Sequence, residues 1–252
     1  MKRAHIVATA GGALAVLAGL AAATAGYAAL HLRRSAKLAA GGGRTFSREA
    51  RPEGARLLVV GDSRAAGIGA SAPECSLPGL LARANPSLTV VNRAFEAADF
   101  AATAAQLEGG ERFDAVLVMV GANDVLRPSS GTGLREAVDE VARRARRTAD
   151  LVVFLPPGNL GSLRFLLPPW NWWARWRSRR LEALIAEAAQ ARGALCVSLF
   201  RDARDDPFAR HPKPLHAADG LHPNDAGYEL WQRELETQVQ LSARLRRIGR
   251  GR

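Results

Sequence analysis

Short, unbroken apolar runs constrain this chain most. Leu57-Leu58-Val59-Val60, Ala115-Val116-Leu117-Val118-Met119-Val120 and Leu151-Val152-Val153-Phe154-Leu155 carry no polar residue in either alternate set. A strand that is apolar on both faces must bury both, which is the condition of a parallel sheet covered by helices. Leu88 to Asn92 and Leu195 to Leu199 fit the same pattern. Helical stretches lie between and after these runs, at Phe100 to Leu107, Leu134 to Thr148, Arg177 to Arg192 and Asp225 to Leu245, the last capped by Asn224 or Asp225. The alternation predicts an α/β domain with a five-stranded parallel sheet between layers of helices.

The first run ends in Gly61-Asp62-Ser63-Arg64. Reactive groups collect just past the carboxyl ends of parallel strands, so Ser63 is a candidate nucleophile. The plainer reading is a turn with Asp62 or Ser63 as a helix N-cap. Three more polar clusters follow predicted strands or precede the last helix: Asn92-Arg93-Ala94, Gly121-Ala122-Asn123-Asp124 and Asp219-Gly220-Leu221-His222-Pro223-Asn224. Acyl transfer needs a nucleophile, a base, a group that orients the base, and donors for an oxyanion. Ser63, His222, Asp219 and Asn123 supply all four. Taken singly, His222 and Asp219 also read as loop and turn residues, and Asn123 as a partner of its own loop. His216 lacks an Asp three residues before it, and His211 reads as a surface residue. No Gly-x-Ser-x-Gly occurs, and no His-x-x-x-His pair for zinc.

Together these motifs resemble the SGNH (GDSL-type) hydrolases over roughly Arg56 to Leu241. The resemblance implies a flavodoxin-like α/β/α fold and ester hydrolysis by a Ser63–His222–Asp219 triad, with no metal or other cofactor. It also implies an oxyanion hole made by the Ser63 and Ala94 backbone N–H groups and the Asn123 side chain. Two positions depart from the family pattern. Ala94 stands where Gly is usual in Asn-x-Gly, and a left-handed backbone there would be strained by the methyl. Arg64 stands where Leu is usual; it reads either as a contact for an anionic substrate group or as a solvated residue of the first helical turn.

Ile6 to Leu30 holds 25 residues without a charged side chain, long enough to span a bilayer. Lys2 and Arg3 precede it; Arg33, Arg34 and Lys37 follow, a bias that places the C-terminal domain in the cytoplasm. A cleaved signal peptide ending near Ala23-Thr24-Ala25 is the competing reading and implies export. The expected organisation is an anchor with basic flanks (1–38), a Gly/Arg/Ser linker (39–55), a hydrolase domain (56–245) and a basic tail (246–252). The net charge of +11 is concentrated at the start: residues 1–51 carry eight Lys/Arg and one Glu, leaving only +4 for the rest. That distribution argues against a nucleic-acid-binding domain. Two cysteines exclude a disulfide-built scaffold.

The segment from Phe165 to Arg177 carries four of the five tryptophans, and residues 164–180 hold five Arg and no acid. Trp and Arg together suit a membrane interface or an acyl-binding lid, with Trp172 and Trp173 as candidate substrate contacts; the alternative is that they pack a helix onto the sheet. The expectation is a membrane-anchored serine esterase acting on a small-molecule, lipid or lysophospholipid ester. A glycan O-acetyl esterase or acyltransferase, and a degenerate binding module, are the alternatives. The sequence leaves the oligomeric state unknown.

Overall fold

The computed structural model describes residues 17–33, 35, 45–50, 53–127 and 131–250. Residues 17–33 form helix α1. The domain then runs β1 (Arg56–Gly61), α2 (Ser63–Ala66), α3 (Leu77–Ala84), β2 (Thr89–Asn92), α4 (Phe100–Gln106), β3 (Ala115–Met119), α5 (Ala122–Leu126), α6 (Gly131–Thr148) and β4 (Leu151–Phe154). It closes with α7 (Trp170–Ala191), β5 (Leu195–Cys196), the short α8 (Pro207–Arg210) and α9 (Pro212–Leu215), α10 (Asp225–Val239) and α11 (Leu241–Arg250).

All strand pairs are parallel, in the order β2-β1-β3-β4-β5. The sheet meets the expectation from the apolar runs. Alternate residues feed opposite layers, as the strand period requires. Leu58, Val60, Val116 and Val118 pack with Phe100 of α4, Val138 and Val141 of α6, and Leu181 and Ile185 of α7. Leu57, Val59, Leu117 and Met119 pack with Leu80 and Leu81 of α3 and Tyr228, Trp231 and Leu235 of α10. Each such side chain contributes about 1.5–3 kcal/mol on burial. Strand order reverses beside β1, and this switch point opens a crevice past the carboxyl ends of β1 and β3.

The periphery differs from the sequence-based expectation in four places. The final helix breaks at Gln240, whose left-handed backbone (φ 50°) ends α10, so the expected basic tail begins inside α11. Within that tail, Arg246 donates to Asn85 Oδ1 at 3.0 Å. The stretch 39–55 is not all linker: Arg48 exchanges backbone hydrogen bonds with Val90 at 2.8 and 2.9 Å, on the outer edge of β2. Its guanidinium donates to the Ala82, Asn85 and Leu88 carbonyls, covering an edge that would otherwise be open. Helix α7 starts at Trp170, so most of the Trp/Arg segment is its first turns.

The fourth difference concerns the N-terminus. Among the described residues no helix is long and apolar enough to cross a membrane. Residues 6–16 of the expected span lie outside the described residues. Its remainder, within α1, packs on the domain. Ala21, Thr24, Ala28 and Leu32 recur at helical spacing on the less exposed side; Leu17, Leu20, Tyr27 and Leu30 stay exposed. Trp170 Nε1 donates to the Ala21 carbonyl (3.0 Å) and to Thr24 Oγ1 (3.1 Å). The His31 ring stacks on Phe165, with centroids 5.2 Å apart.

Candidate active site

Strand β1 leaves the sheet at Gly61, with φ 140° and a path so close to β3 that a Cβ would lie 2.0 Å from the Met119 carbonyl oxygen. Only glycine fits there. Asp62 follows as N-cap of α2 and accepts from Arg64 N–H at 3.0 Å. Its carboxylate also takes Arg64 Nε (3.0 Å) and Nη2 (2.7 Å) as a two-pronged pair. Both side chains are buried. Arg64 is therefore not the solvated residue that its place in the first helical turn suggested. Its remaining nitrogen, Nη1, is buried without a partner among the described residues. Arg64 lines the cavity beside Ser63, as does Trp231, whose ring lies 5.9 Å from the guanidinium carbon.

Helix α10 brings the second loop to Ser63. Tyr228 Oη donates to the Ile68 carbonyl at 2.7 Å, and the Asp225 carboxylate accepts from Ser71 N–H and Oγ at 2.7 and 2.5 Å. At Gly69 (φ 95°) a Cβ would lie 2.2 Å from the Pro223 carbonyl oxygen and 2.9 Å from His222 Cβ. The loops touch because that methyl is missing. Within the Asp219–His222 turn, Asp219 Oδ1 accepts from the Leu221 and His222 N–H groups at 2.9 and 3.1 Å. Oδ2 lies 2.5 Å from His222 Nδ1, and His222 Nε2 lies 2.8 Å from Ser63 Oγ. Burial would raise the Asp219 carboxyl. The hydrogen bond to His222, the pull of that ring whenever it is protonated and the two N–H groups outweigh burial and hold it at about 2. An ionised Asp219 requires the proton on Nδ1, which leaves the Nε2 lone pair for the Ser63 hydroxyl.

Asn123 stands in the first turn of α5 and lines the same cavity. Its Nδ2 donates to the Ala98 carbonyl at 2.9 Å, and an amide nitrogen has a second hydrogen to offer. Ala94 does not fit its expected place. Its N–H is taken by Asn92 Oδ1 at 3.0 Å, its backbone is not left-handed, and it does not line the cavity. Ala97, three residues on, does line it and has φ 61°. No residue type announces a left-handed alanine, so sequence reasoning placed the anomaly at the Asn-x-Gly position instead. Gln106 was missed as well. From α4 it accepts from Gly61 N–H (2.7 Å) and donates to the Gly61 carbonyl (2.9 Å), clamping the strand end.

The cavity holds about 220 Å³. Leu126, Leu160, Leu163 and Leu221 line it on the core side that carries α1. Arg64, His216 and Trp231 line it on the α10 side, and Asp206 lines it as well. Trp172 and Trp173 line no part of it. Trp172 is exposed, whereas Trp173 packs on the core beneath the Arg177 guanidinium, 4.8 Å from its ring centre. Arg175 and Arg179 both reach Asp202, at 2.7 and 3.0 Å, so the segment's charge is partly balanced from another loop.

The family model of the GDSL-like Lipase/Acylhydrolase family matches residues 59–230, and the chain belongs to that family of hydrolases. It is 28% identical over 190 residues to a GDSL-like esterase of Mycobacterium tuberculosis, covering 71% of this chain and 60% of the relative's length. An acetylxylan esterase of Geobacillus stearothermophilus superposes with TM-score 0.58 at 17% identity, over 77% of this chain and 96% of that one. A phospholipase A1 of Streptomyces albidoflavus does so with TM-score 0.55 at 19% identity, over 74% and 100%. At these identities the two structures establish the shared fold.

Two stability measurements check this geometry. A left-handed alanine costs about 1–2 kcal/mol, so Ala97→Gly is expected to raise Tm or leave it unchanged, while Ala94→Gly lowers it. A higher Tm for Ala94→Gly alone would reverse the assignment. Asp124 follows Asn123 and is buried, with one carboxylate oxygen unpartnered among the described residues; burial raises its pKa to about 6. A carboxyl raised in the folded state favours folding at low pH, and that contribution is lost as pH rises through about 6. Asp124→Asn is expected to be more stable than wild type at pH 7.5, by up to about 3 kcal/mol, with the gain vanishing near pH 4. Urea titrations at the two pH values measure it; an equal difference at both would show that ionisation is not the cause.

Proposed function

We propose that the protein is a serine esterase working at a membrane surface on esters with an apolar acyl chain. The observation that carries the reading is the Ser63–His222–Asp219 chain of contacts, 2.8 and 2.5 Å long, at a cavity with an apolar side. Ser63 Oγ gives its proton to His222 Nε2 as it bonds to the ester carbonyl carbon. Asp219 steadies the imidazolium. The carbonyl oxygen becomes an oxyanion facing the Ser63 and Ala97 N–H groups and Asn123 Nδ2. His222 then passes its proton to the departing alcohol. Water, deprotonated by the same ring, attacks the acyl-enzyme; the acid leaves and His222 returns the proton to Ser63 Oγ. Arg64 Nη1, already neutralised in net charge by Asp62, offers a hydrogen bond to an oxygen of the substrate.

The apolar lining favours a chain of several carbons over an acetyl group, which would leave that side empty. Relatives of this fold include both an acetylxylan esterase and a phospholipase A1, so the fold does not choose between these classes. Support for a membrane comes from the exposed Leu17, Leu20, Tyr27 and Leu30 of α1 and the exposed Trp172 and Trp176 on the segment it packs against. Apolar residues with Trp and Arg suit the lipid headgroup boundary. The uncharged residues 6–16 continue that apolar character toward a membrane anchor.

Fluorophosphonate labelling is expected to be lost in Ser63→Ala. Ser63→Ala and His222→Ala should each lose nearly all turnover, on the order of 10⁶-fold, with the double variant little worse. Asn123→Ala should lower kcat by about 10²–10³-fold with little change in KM. A Ser63→Ala enzyme retaining a tenth of its activity would refute the mechanism.

Replacing Trp172 and Trp176 together by Ala removes two exposed side chains, so Tm should hardly change. Hydrolysis of a long-chain ester in anionic vesicles should fall several-fold while that of a soluble short ester stays constant. Equal rates on both substrates relative to wild type would remove the membrane from the proposal.

A further inference from the structure

Helix α1 is part of the cavity. Leu32 lines it, and so does Ser35, which is also helical. Leu32 packs against the same core group as Leu160, Leu163, Leu126 and Leu221, all four of which line the cavity. Ser35 is 2% exposed, and among the described residues its Oγ has no hydrogen-bond partner. A hydroxyl left unpaired in a buried wall costs free energy unless a ligand meets it. The seat of the helix is specific. Ala28 is buried, and Trp170 donates to two groups of α1. His31 stacks on Phe165, which sits in the loop before α7.

We propose that α1 is a specificity wall of the ester pocket: Leu32 closes the apolar side of the cavity and so sets the length of acyl chain accepted. The proposal rests on the esterase reading and adds that the N-terminal segment, outside the matched family region of residues 59–230, selects the substrate. Chain length is read here as volume. A larger residue at position 32 takes room from the chain's far end; a smaller one adds it. Trp170 acts only as a positioning residue, since its indole holds the helix and does not line the cavity. The same arrangement links membrane and pocket: the helix whose exposed side carries Leu17, Leu20 and Leu30 also presents Leu32 to the substrate.

The test uses the full chain in detergent with p-nitrophenyl esters from acetate to laurate. Leu32→Trp should lower kcat/KM for the longer esters at least tenfold and change acetate less than twofold. Leu32→Ala should move the optimum to longer chains. Trp170→Phe should broaden the profile in the direction of Leu32→Ala, because it frees the helix. Leu30→Trp, on the exposed side, should leave the profile as in wild type.

A second measurement does not depend on Leu32→Trp folding. With Cys75 and Cys196 replaced by Ser, Leu32→Cys carries one thiol. Reaction of Ser63 Oγ with an alkyl fluorophosphonate forms the O–P bond and expels fluoride. A dodecyl chain on the probe should protect the thiol from maleimide at least fivefold; a methyl group should not. Unchanged profiles in folded Leu32 variants, or equal maleimide rates after both probes, would overturn the proposal. Failure of any fluorophosphonate to label wild-type Ser63 would instead sink the esterase reading itself.

Discussion

The structure depends on how β1 stops. A strand leaving a parallel sheet abandons ladder partners, and each buried N–H or C=O left unpaired costs about 1–3 kcal/mol. At Gly61 the Gln106 amide answers both groups at once, and Asp62 N–H returns to the Met119 carbonyl at 3.0 Å. The chain is thereby held until the moment it turns. Asp62 then binds Arg64 through three hydrogen bonds and starts α2. A buried ion pair is weak evidence for added stability, but removing one partner is costly, about 3–5 kcal/mol. Its evident consequence here is local: it fixes the residues on either side of Ser63, so the serine enters the crevice from a rigid corner.

The central architecture was legible because burial on both faces leaves a plain record, and Val, Leu and Ile in unbroken runs have few other uses. The order of Gly61-Asp62-Ser63, Gly121-x-Asn123 and Asp219-x-x-His222 was equally legible, since each motif follows an element whose end the pattern marks. Conformation without a residue signature was not. Ala97 at φ 61° and Gln240 at φ 50° are ordinary residues in a backbone state usually left to glycine or asparagine. Arg64 illustrates a different limit. Local spacing puts an arginine on a helical turn; whether it is solvated depends on Trp231 and Tyr228, more than 160 residues later.

Charge shows the same dependence on distant chain. Residues 164–180 look uniformly basic in sequence, yet Asp202 serves two of their arginines and the Arg177 guanidinium donates to the Asp124 and Arg127 carbonyls. Those carbonyls close the end of α5, the helix that carries Asn123. Arg177 therefore joins the Trp-bearing helix to a candidate oxyanion donor, although neither lies near the other in the chain. Part of the segment's basicity is structural, and what remains for an anionic surface is smaller than a residue count implies.

Helix α1 bears on the proposed membrane contact through its two sides rather than its length. A helix that is apolar all round is stable only when both sides are covered. The domain covers one side of α1, through Ala28, Leu32 and the bonds from Trp170. Four large apolar side chains remain on the other, three of them more than half exposed: Leu17 at 64%, Leu20 at 60% and Leu30 at 55%. Leaving them in water forfeits about 25 cal/mol for each Å² of apolar surface. A bilayer removes that cost without displacing the helix from its seat, because the exposed side faces away from the pocket that Leu32 lines. On the proposed membrane surface, both sides of α1 would be covered and the cavity would keep its wall.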